Sequence, residues 1–188
     1  MNFYLIRHGQ TDWNVAGRNQ GQQDTELNEE GLHQANALGI TLRDGDYNIK
    51  SIYSSKQKRA YKTAEIVSQY LNVDCRVLEG LEEVNLGAWE GISWREVKEK
   101  YPEEFKVWYE NRRYTKAPGG ESYDDMLMRA LKAITFLAKE VKEDVAIVTH
   151  SAVIMVLQCY LNHTPFEEML KYKTENTSIV QIDSSKFI

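Results

Sequence analysis

Three short apolar runs mark the chain, and each stops at a polar cluster. Phe3-Tyr4-Leu5-Ile6 ends at Arg7-His8-Gly9, Ile49 to Tyr53 ends at Ser54-Ser55, and Val145-Ala146-Ile147-Val148 ends at Thr149-His150. Runs of this kind predict strands buried on both faces, as in a parallel sheet covered by helices. Between them the apolar period lengthens to that of a helix. Leu32, Ala35, Gly39 and Leu42 share one face, as do Ala60, Ala64, Val67 and Leu71, and the longest stripe is Leu127, Leu131, Ile134, Ala138 and Val141. Ser93 with Glu96, and Thr164-Pro165 with Glu167, have the form of capping boxes and predict two more helix starts. Strand and helix therefore alternate. That pattern predicts an α/β fold of three layers, an αβα sandwich around a mostly parallel central sheet.

Residues 1–188 read as one domain without internal repeats. The segment from about 93 to 120 breaks the pattern, being rich in aromatics and charge, with Tyr101-Pro102, Trp108, Arg112, Arg113 and Tyr114. It reads as a helical excursion over one edge of the sheet, above the site. Two roles for its large residues stand side by side: a wall that reads the substrate, or a packed helix with its charges in water.

Composition narrows the function. The chain has 188 residues, enough to bury a core without staples, with 42% hydrophobic and 27% charged residues. A net charge of −5 argues against broad nucleic-acid or membrane binding, which needs an excess of Lys and Arg. It leaves room for a small anion, since a local arginine cluster overrides the global sign. The two cysteines, Cys75 and Cys159, are far apart, so neither a disulfide framework nor a structural zinc site is expected. No run of about 18 apolar residues is present to cross a bilayer, and the N-terminus lacks the basic region of a signal peptide. These features predict a cytoplasmic protein. Oligomeric state is not set by them.

The polar clusters carry the chemistry. In an open α/β sheet, ligands bind at the carboxyl ends of the strands, so Arg7-His8, Ser54-Ser55 with Arg59, and His150 are expected to converge. A phosphate monoester needs a nucleophile, donors around the transferring group and a proton for the leaving oxygen. A neutral His8 can form a phosphoramidate. Arg7 and Arg59 offer forked, permanently charged donors, and His150 adds another. Glu83 lies in a loop-like stretch with two glycines, Gly87 and Gly91, where a carboxyl can be aimed at a ligand. Taken singly, each has an ordinary explanation: a polar loop, a solvated helix arginine, a histidine bonded to a carbonyl, an acidic pair with Glu82. His33 and His163 are assigned to structure. Gly119-Gly120-Glu121-Ser122 is no P-loop, because no Gly-Lys-Ser/Thr follows.

Taken together the residues resemble a known family. Arg7-His8-Gly9-Gln10-Thr11-Asp12-Trp13-Asn14 is similar to the R-H-G-[EQ]-T-x-W-N signature of the histidine phosphatases, the phosphoglycerate-mutase-like superfamily. The similarity continues through Gln20-Gly21, Asp24 and Leu27 to Ser54-Ser55, Arg59-Ala60 and Thr63-Ala64-Glu65. It resumes at Glu83, Gly87 and Trp89-Glu90-Gly91, then at Pro118 to Ser122, and ends at Val148-Thr149-His150. The resemblance implies a phosphoglycerate-mutase-like fold and a phosphohistidine on His8, with Arg7, Arg59 and His150 around the phosphoryl group. Glu83 would protonate the leaving alcohol and then activate water. Asn14, Gln20 and Gly21 match positions on the phosphate or substrate side. The family needs no metal and no other cofactor, because cationic side chains carry the countercharge.

Three departures stand out. Many relatives have Asp-Leu where this chain has Lys56-Gln57, and Gly where it has Ser151-Ala152. Met155 replaces a frequent arginine. Ser151 keeps an N–H for an anion at a helix start, while its hydroxyl either narrows the site or caps the helix. The stretch after Glu83 lacks the longer insertion of the mutases. The expected activity is therefore a phosphatase acting on a small phosphorylated metabolite, in the branch that includes the α-ribazole phosphatases. The alternatives are a cofactor-dependent phosphoglycerate mutase and a silent binder of phosphorylated ligands.

Overall fold

The computed structural model describes residues 1–188. Strands β1 (Asn2–Arg7), β2 (Ser51–Ser54), β3 (Asp74–Val77), β4 (Val145–Thr149) and β5 (Ile179–Asp183) form one sheet in the order β3-β2-β4-β1-β5. The first four run parallel, and β5 closes the edge antiparallel to β1. Alternate residues divide the sheet's two faces. Tyr4, Ile6, Ile52, Ala146 and Val148 pack under helices α2 (Glu29–Asp44) and α3 (Lys58–Leu71). Phe3, Leu5, Val145 and Ile147 pack under α6 (Tyr123–Glu140) and α7 (Ser151–Leu161). The result is the expected αβα sandwich with a mostly parallel sheet. No helix is long and apolar enough to cross a membrane.

The apolar runs at β1 and β4 and the stripes on α2, α3 and α6 form the elements expected of them. β3 and β5 escaped the apolar pattern because both lie at sheet edges. Asp74 and Arg76 of β3 are exposed, and Ile182 alone is buried in β5. An edge strand need bury little side-chain surface to complete a ladder. Ser93 caps α4 (Trp94–Lys100) through the predicted box with Glu96. Thr164 does not make one. Its hydroxyl lies 2.7 Å from that of Tyr172, and Phe166–Tyr172 is a 3₁₀ segment entered through Pro165 without a side-chain cap. Two boxes form instead with shorter third-position residues, Thr11 with Asn14 at the start of α1 (Asp12–Val15) and Ser122 with Asp125 at the start of α6.

Within the 93–120 segment, α4 and α5 (Pro102–Glu110) close around a buried aromatic group. Trp108 meets Trp89 edge-on with ring centres 5.4 Å apart and stacks on Trp94 at 5.1 Å. It also reaches Tyr123, the first residue of α6, at 6.0 Å. Aromatic pairs at such distances add about 0.5–1.5 kcal/mol each beyond their buried area. The excursion is thus fastened to the sandwich through Trp108.

Candidate active site

Strand register brings the polar clusters together. Arg7 pairs with Thr149 and Ser54 with Val148, so His8, Ser55 and His150 are the residues that follow three adjacent strand ends. The His8 N–H donates to the Thr149 carbonyl at 3.0 Å, and the Ser55 N–H to the Val148 carbonyl at 3.0 Å. The rings of His8 and His150 lie 5.2 Å apart, centre to centre. Gly9 lets the chain turn away from β1 against the start of α2, where a Cβ would stand 2.6 Å from the Gly31 carbonyl oxygen.

Hydrogen bonds assign the imidazole protons. His8 Nδ1 lies 2.7 Å from the Gly9 carbonyl, which can only accept, so Nδ1 carries the proton and Nε2 keeps its lone pair. His150 Nε2 lies 3.0 Å from Ser55 Oγ, which also accepts the Gln57 N–H at 3.3 Å. The Ser55 hydroxyl proton is then free for Nε2, leaving Nδ1–H of His150 as a donor. Burial holds both histidines well below the usual imidazole range, reinforced at His8 by the charges of Arg59 and Arg7. Both rings are therefore neutral near pH 7.

Arg59 enters from the first turn of α3 and is wholly buried. It donates to the Gln23 carbonyl at 2.7 Å and the Gly21 carbonyl at 2.9 Å. Burial brings its guanidinium down to about 10, against the pull of Glu83, so it remains a cation at neutral pH. Arg7 donates to the Thr174 carbonyl at 2.6 Å. Arg7 Nε, Arg59 Nε and His150 Nδ1 are all buried without a protein partner. An unpaired buried donor costs about 1–3 kcal/mol. Unpaired donors on Arg7 and Arg59, whose charges act on His8, and on His150, whose ring centre lies 5.2 Å from that of His8, suit an anion rich in acceptors.

Glu83 is held by its backbone. Its N–H donates to Gln57 Oε1 at 2.8 Å, and its carbonyl accepts from Arg129 at 3.0 Å and Gln22 at 3.2 Å. The carboxylate accepts the Val84 N–H at 2.9 Å and, at the start of α7, the Ala152 N–H at 3.3 Å. Burial raises its pKa, outweighing those two bonds and the charges of Arg59 and Arg7. Such a carboxyl keeps its proton to higher pH than an ordinary one.

The other expected residues are placed more unevenly. Asn14 spends its Oδ1 on the Thr11 N–H at 3.1 Å, and Asn176 Nδ2 approaches it to 3.5 Å. Gln20 Oε1 accepts from the hydroxyls of Thr11 and Thr25 inside the loop. Gly21 supports Arg59 through its carbonyl. Its φ of +51° is a left-handed value, and a Cβ there would overlap the Glu90 carboxylate. Ser151 is the first residue of α7 and caps nothing, since His150 is the cap residue. Beside it opens a cavity of about 520 Å³, walled by Trp94, Trp108, Tyr123, Met155 and Arg112 among others. Trp108 and Arg112 thus face the cavity, whereas Arg113 is paired with Asp124 at 2.9 Å and Tyr114 is exposed. A smaller hollow of about 390 Å³ beside Leu32 of α2 and Tyr61 of α3 contains none of the phosphate set.

Several supports were not singled out as site residues in the sequence. Asn176 donates to the His8 carbonyl at 2.8 Å, and Thr63 accepts the Gly9 N–H at 3.0 Å while donating to the Arg59 carbonyl at 2.8 Å. Arg129 holds the Glu83 carbonyl while forming a two-pronged pair with Glu121. Asn176 and Arg129 reach the site across long sequence separations, where local pattern carries no signal, whereas Thr63 lies in a stretch that matches the family pattern.

A histidine with a free Nε2, a wholly buried arginine, a partly buried one and a carboxyl of raised pKa meet at the strand ends of an αβα sandwich, a combination suited to phosphoryl transfer. Residues 3–186 match the family model of the histidine phosphatase superfamily, branch 1. The chain belongs to that superfamily. It is 35% identical over 188 residues to the metal-independent phosphoserine phosphatase of Arabidopsis thaliana, covering 98% of this chain and 77% of that one. It is 31% identical to phosphoserine phosphatase 1 of Hydrogenobacter thermophilus, covering 93% and 82%. The structure superposes on the α-ribazole phosphatase of Shigella flexneri with a TM-score of 0.86 at 27% identity, covering 97% and 90%.

Proposed function

We propose that this phosphoric monoester hydrolase attacks the phosphate of a small metabolite with Nε2 of His8. The carrying observation is the set of three buried, unpartnered donors on Arg7, Arg59 and His150 beside a histidine whose free nitrogen is Nε2. The P–O bond to the alcohol breaks as the N–P bond forms, and Glu83 gives its proton to the departing oxygen. The ring of the phosphohistidine gains positive charge, which the Gly9 carbonyl stabilises through Nδ1–H. Glu83, now a carboxylate, takes a proton from the water that cleaves the N–P bond, and phosphate leaves with His8 neutral again. The arginines and His150 stabilise charge on the transferring oxygens throughout.

Residues 1–188 act as one domain in this reading. The alcohol part of the substrate lies toward the cavity beside Ser151, while Asn14 offers its free amide to the phosphate side. Similarity to phosphoserine phosphatases and an α-ribazole phosphatase supports a small phosphorylated metabolite as substrate. Two unpaired cysteines, Cys75 and Cys159, fit a reducing compartment, and the cytoplasm is the compartment proposed.

The test is phosphate release from p-nitrophenyl phosphate and a panel of phosphorylated metabolites in EDTA. Full activity is expected there. Activity lost in EDTA and restored by Mg2+ would overturn the metal-independent mechanism. With 3-phosphoglycerate and catalytic 2,3-bisphosphoglycerate, rapid appearance of 2-phosphoglycerate with little free phosphate would replace the phosphatase by a mutase.

A further inference from the structure

Gln57 has figured so far only as a partner of Glu83 and Ser55, and it precedes α3 where an N-cap residue belongs. Its side chain does not cap that helix. Instead it turns inward, 5% exposed, and both ends of the amide are bonded. Oε1 accepts the Glu83 N–H at 2.8 Å, and Nε2 donates to the Gly21 carbonyl at 3.0 Å. The partners fix the amide's orientation, since one can only donate and the other only accept.

The connections of this one residue are unusual in their targets. The Gly21 carbonyl it holds is the one that receives Arg59, and its own backbone N–H reaches the Ser55 hydroxyl that meets His150. A leucine at this position would make neither side-chain bond. Burying an amide costs free energy unless it is bonded. The geometry here satisfies that cost by tying the backbone of the proposed acid to the loop that carries the arginine.

We propose that Gln57 is a positioning residue for Glu83, fixing where the carboxyl stands relative to the Arg59 cradle. The inference rests on Glu83 as the general acid. Gln57 touches no reacting atom, so it acts through the placement and burial of that carboxyl. Loss of the clamp lets the carboxyl relax toward water, which lowers its pKa and weakens proton delivery.

Two variants test this, each alone and combined with Glu83→Gln. Gln57→Met keeps length and shape but removes both bonds, whereas Gln57→Glu keeps an acceptor for the Glu83 N–H and adds a like charge. Rapid-quench phosphorylation rates are read with phenethyl phosphate, whose alkoxide needs a proton, and with p-nitrophenyl phosphate, whose leaving group does not. Gln57→Met is expected to slow phenethyl phosphate on the order of ten- to a hundredfold, a share of the ~10²–10⁴ available from general acid catalysis. It should leave p-nitrophenyl phosphate nearly unchanged and add nothing in the Glu83→Gln background. The basic limb of the pH profile should move down in Gln57→Met and up in Gln57→Glu, so the second variant decides if the first does not fold. Equal losses on both substrates, a full further loss in the Glu83→Gln background, or an unmoved basic limb would each overturn the proposal. If Glu83→Gln alone slows both substrates equally, the acid role itself falls and takes this inference with it.

Discussion

Replacing Glu83 with Gln isolates one proton. The amide has nearly the shape of the carboxyl, and its oxygen can still accept the Val84 N–H, the shorter of the two bonds at 2.9 Å. Its NH2 then faces the Ala152 N–H, and the weaker 3.3 Å bond is lost. One neutral-scale hydrogen bond is worth about 1 kcal/mol, partly offset because no charge need be kept in a buried place. For a chain of this size that lowers Tm by roughly 2–4 °C, so the variant stays folded in ordinary assays. The chemical effect is far larger. An alkyl leaving group without its proton departs as an alkoxide, and losing a general acid costs on the order of 10²–10⁴ in rate. At 1.36 kcal/mol per tenfold this is about 3–5 kcal/mol of barrier. With p-nitrophenyl phosphate the leaving anion is already stable, so the burst of nitrophenolate should keep most of its rate. The steady state after the burst should slow on both substrates, because the same carboxylate activates water. Rapid mixing separates the two phases. An equal loss of burst rate on alkyl and aryl substrates would refute Glu83 as the acid.

Rapid quench with labelled substrate should trap an acid-labile, base-stable phosphoenzyme, and His8→Ala should abolish it; an undiminished label would remove His8 as nucleophile. Arg59→Met strips the Gln23 carbonyl of its 2.7 Å donor while Gly21 keeps Gln57. Urea unfolding should show a loss of about 1–3 kcal/mol at most, and kcat/KM should fall roughly 10²–10³-fold, as when an oxyanion donor is removed. An unchanged kcat/KM would take Arg59 out of the cradle. The depressed pKa values of His8 and His150 also link stability to pH. The unfolded chain binds their protons near pH 6.5 while the folded one does not, so this contribution is full above 6.5 and is lost as pH falls from there. Glu83, raised in the folded state, works the other way, its contribution fading as pH rises above its ordinary 4.5. Tm measured downward from pH 6.5 should therefore fall less steeply in His8→Asn than in the native chain, and parallel curves would refute the buried neutral His8.

Much of this protein is legible along the chain. Val145 to Val148 is apolar at every position because β4 is covered on both faces, and the stripe on α6 repeats at helical spacing because that helix packs on one side. The ordered motifs around Arg7-His8, Arg59, Glu83 and His150 match the family, and the proposed phosphohistidine reaction uses those residue types. What the tertiary structure alone decided is how they are held. The edge strands β3 and β5 bury too little to pattern their residues. Gln57, sequentially remote from both Gly21 and Glu83, becomes a clamp only when three loops meet at the strand ends. The tautomer of His8, the lone pair it presents and the raised pKa of Glu83 come from partners and burial supplied by distant segments. A residue's type and local period are set by its neighbours in sequence, whereas its protonation and orientation are set by its neighbours in space.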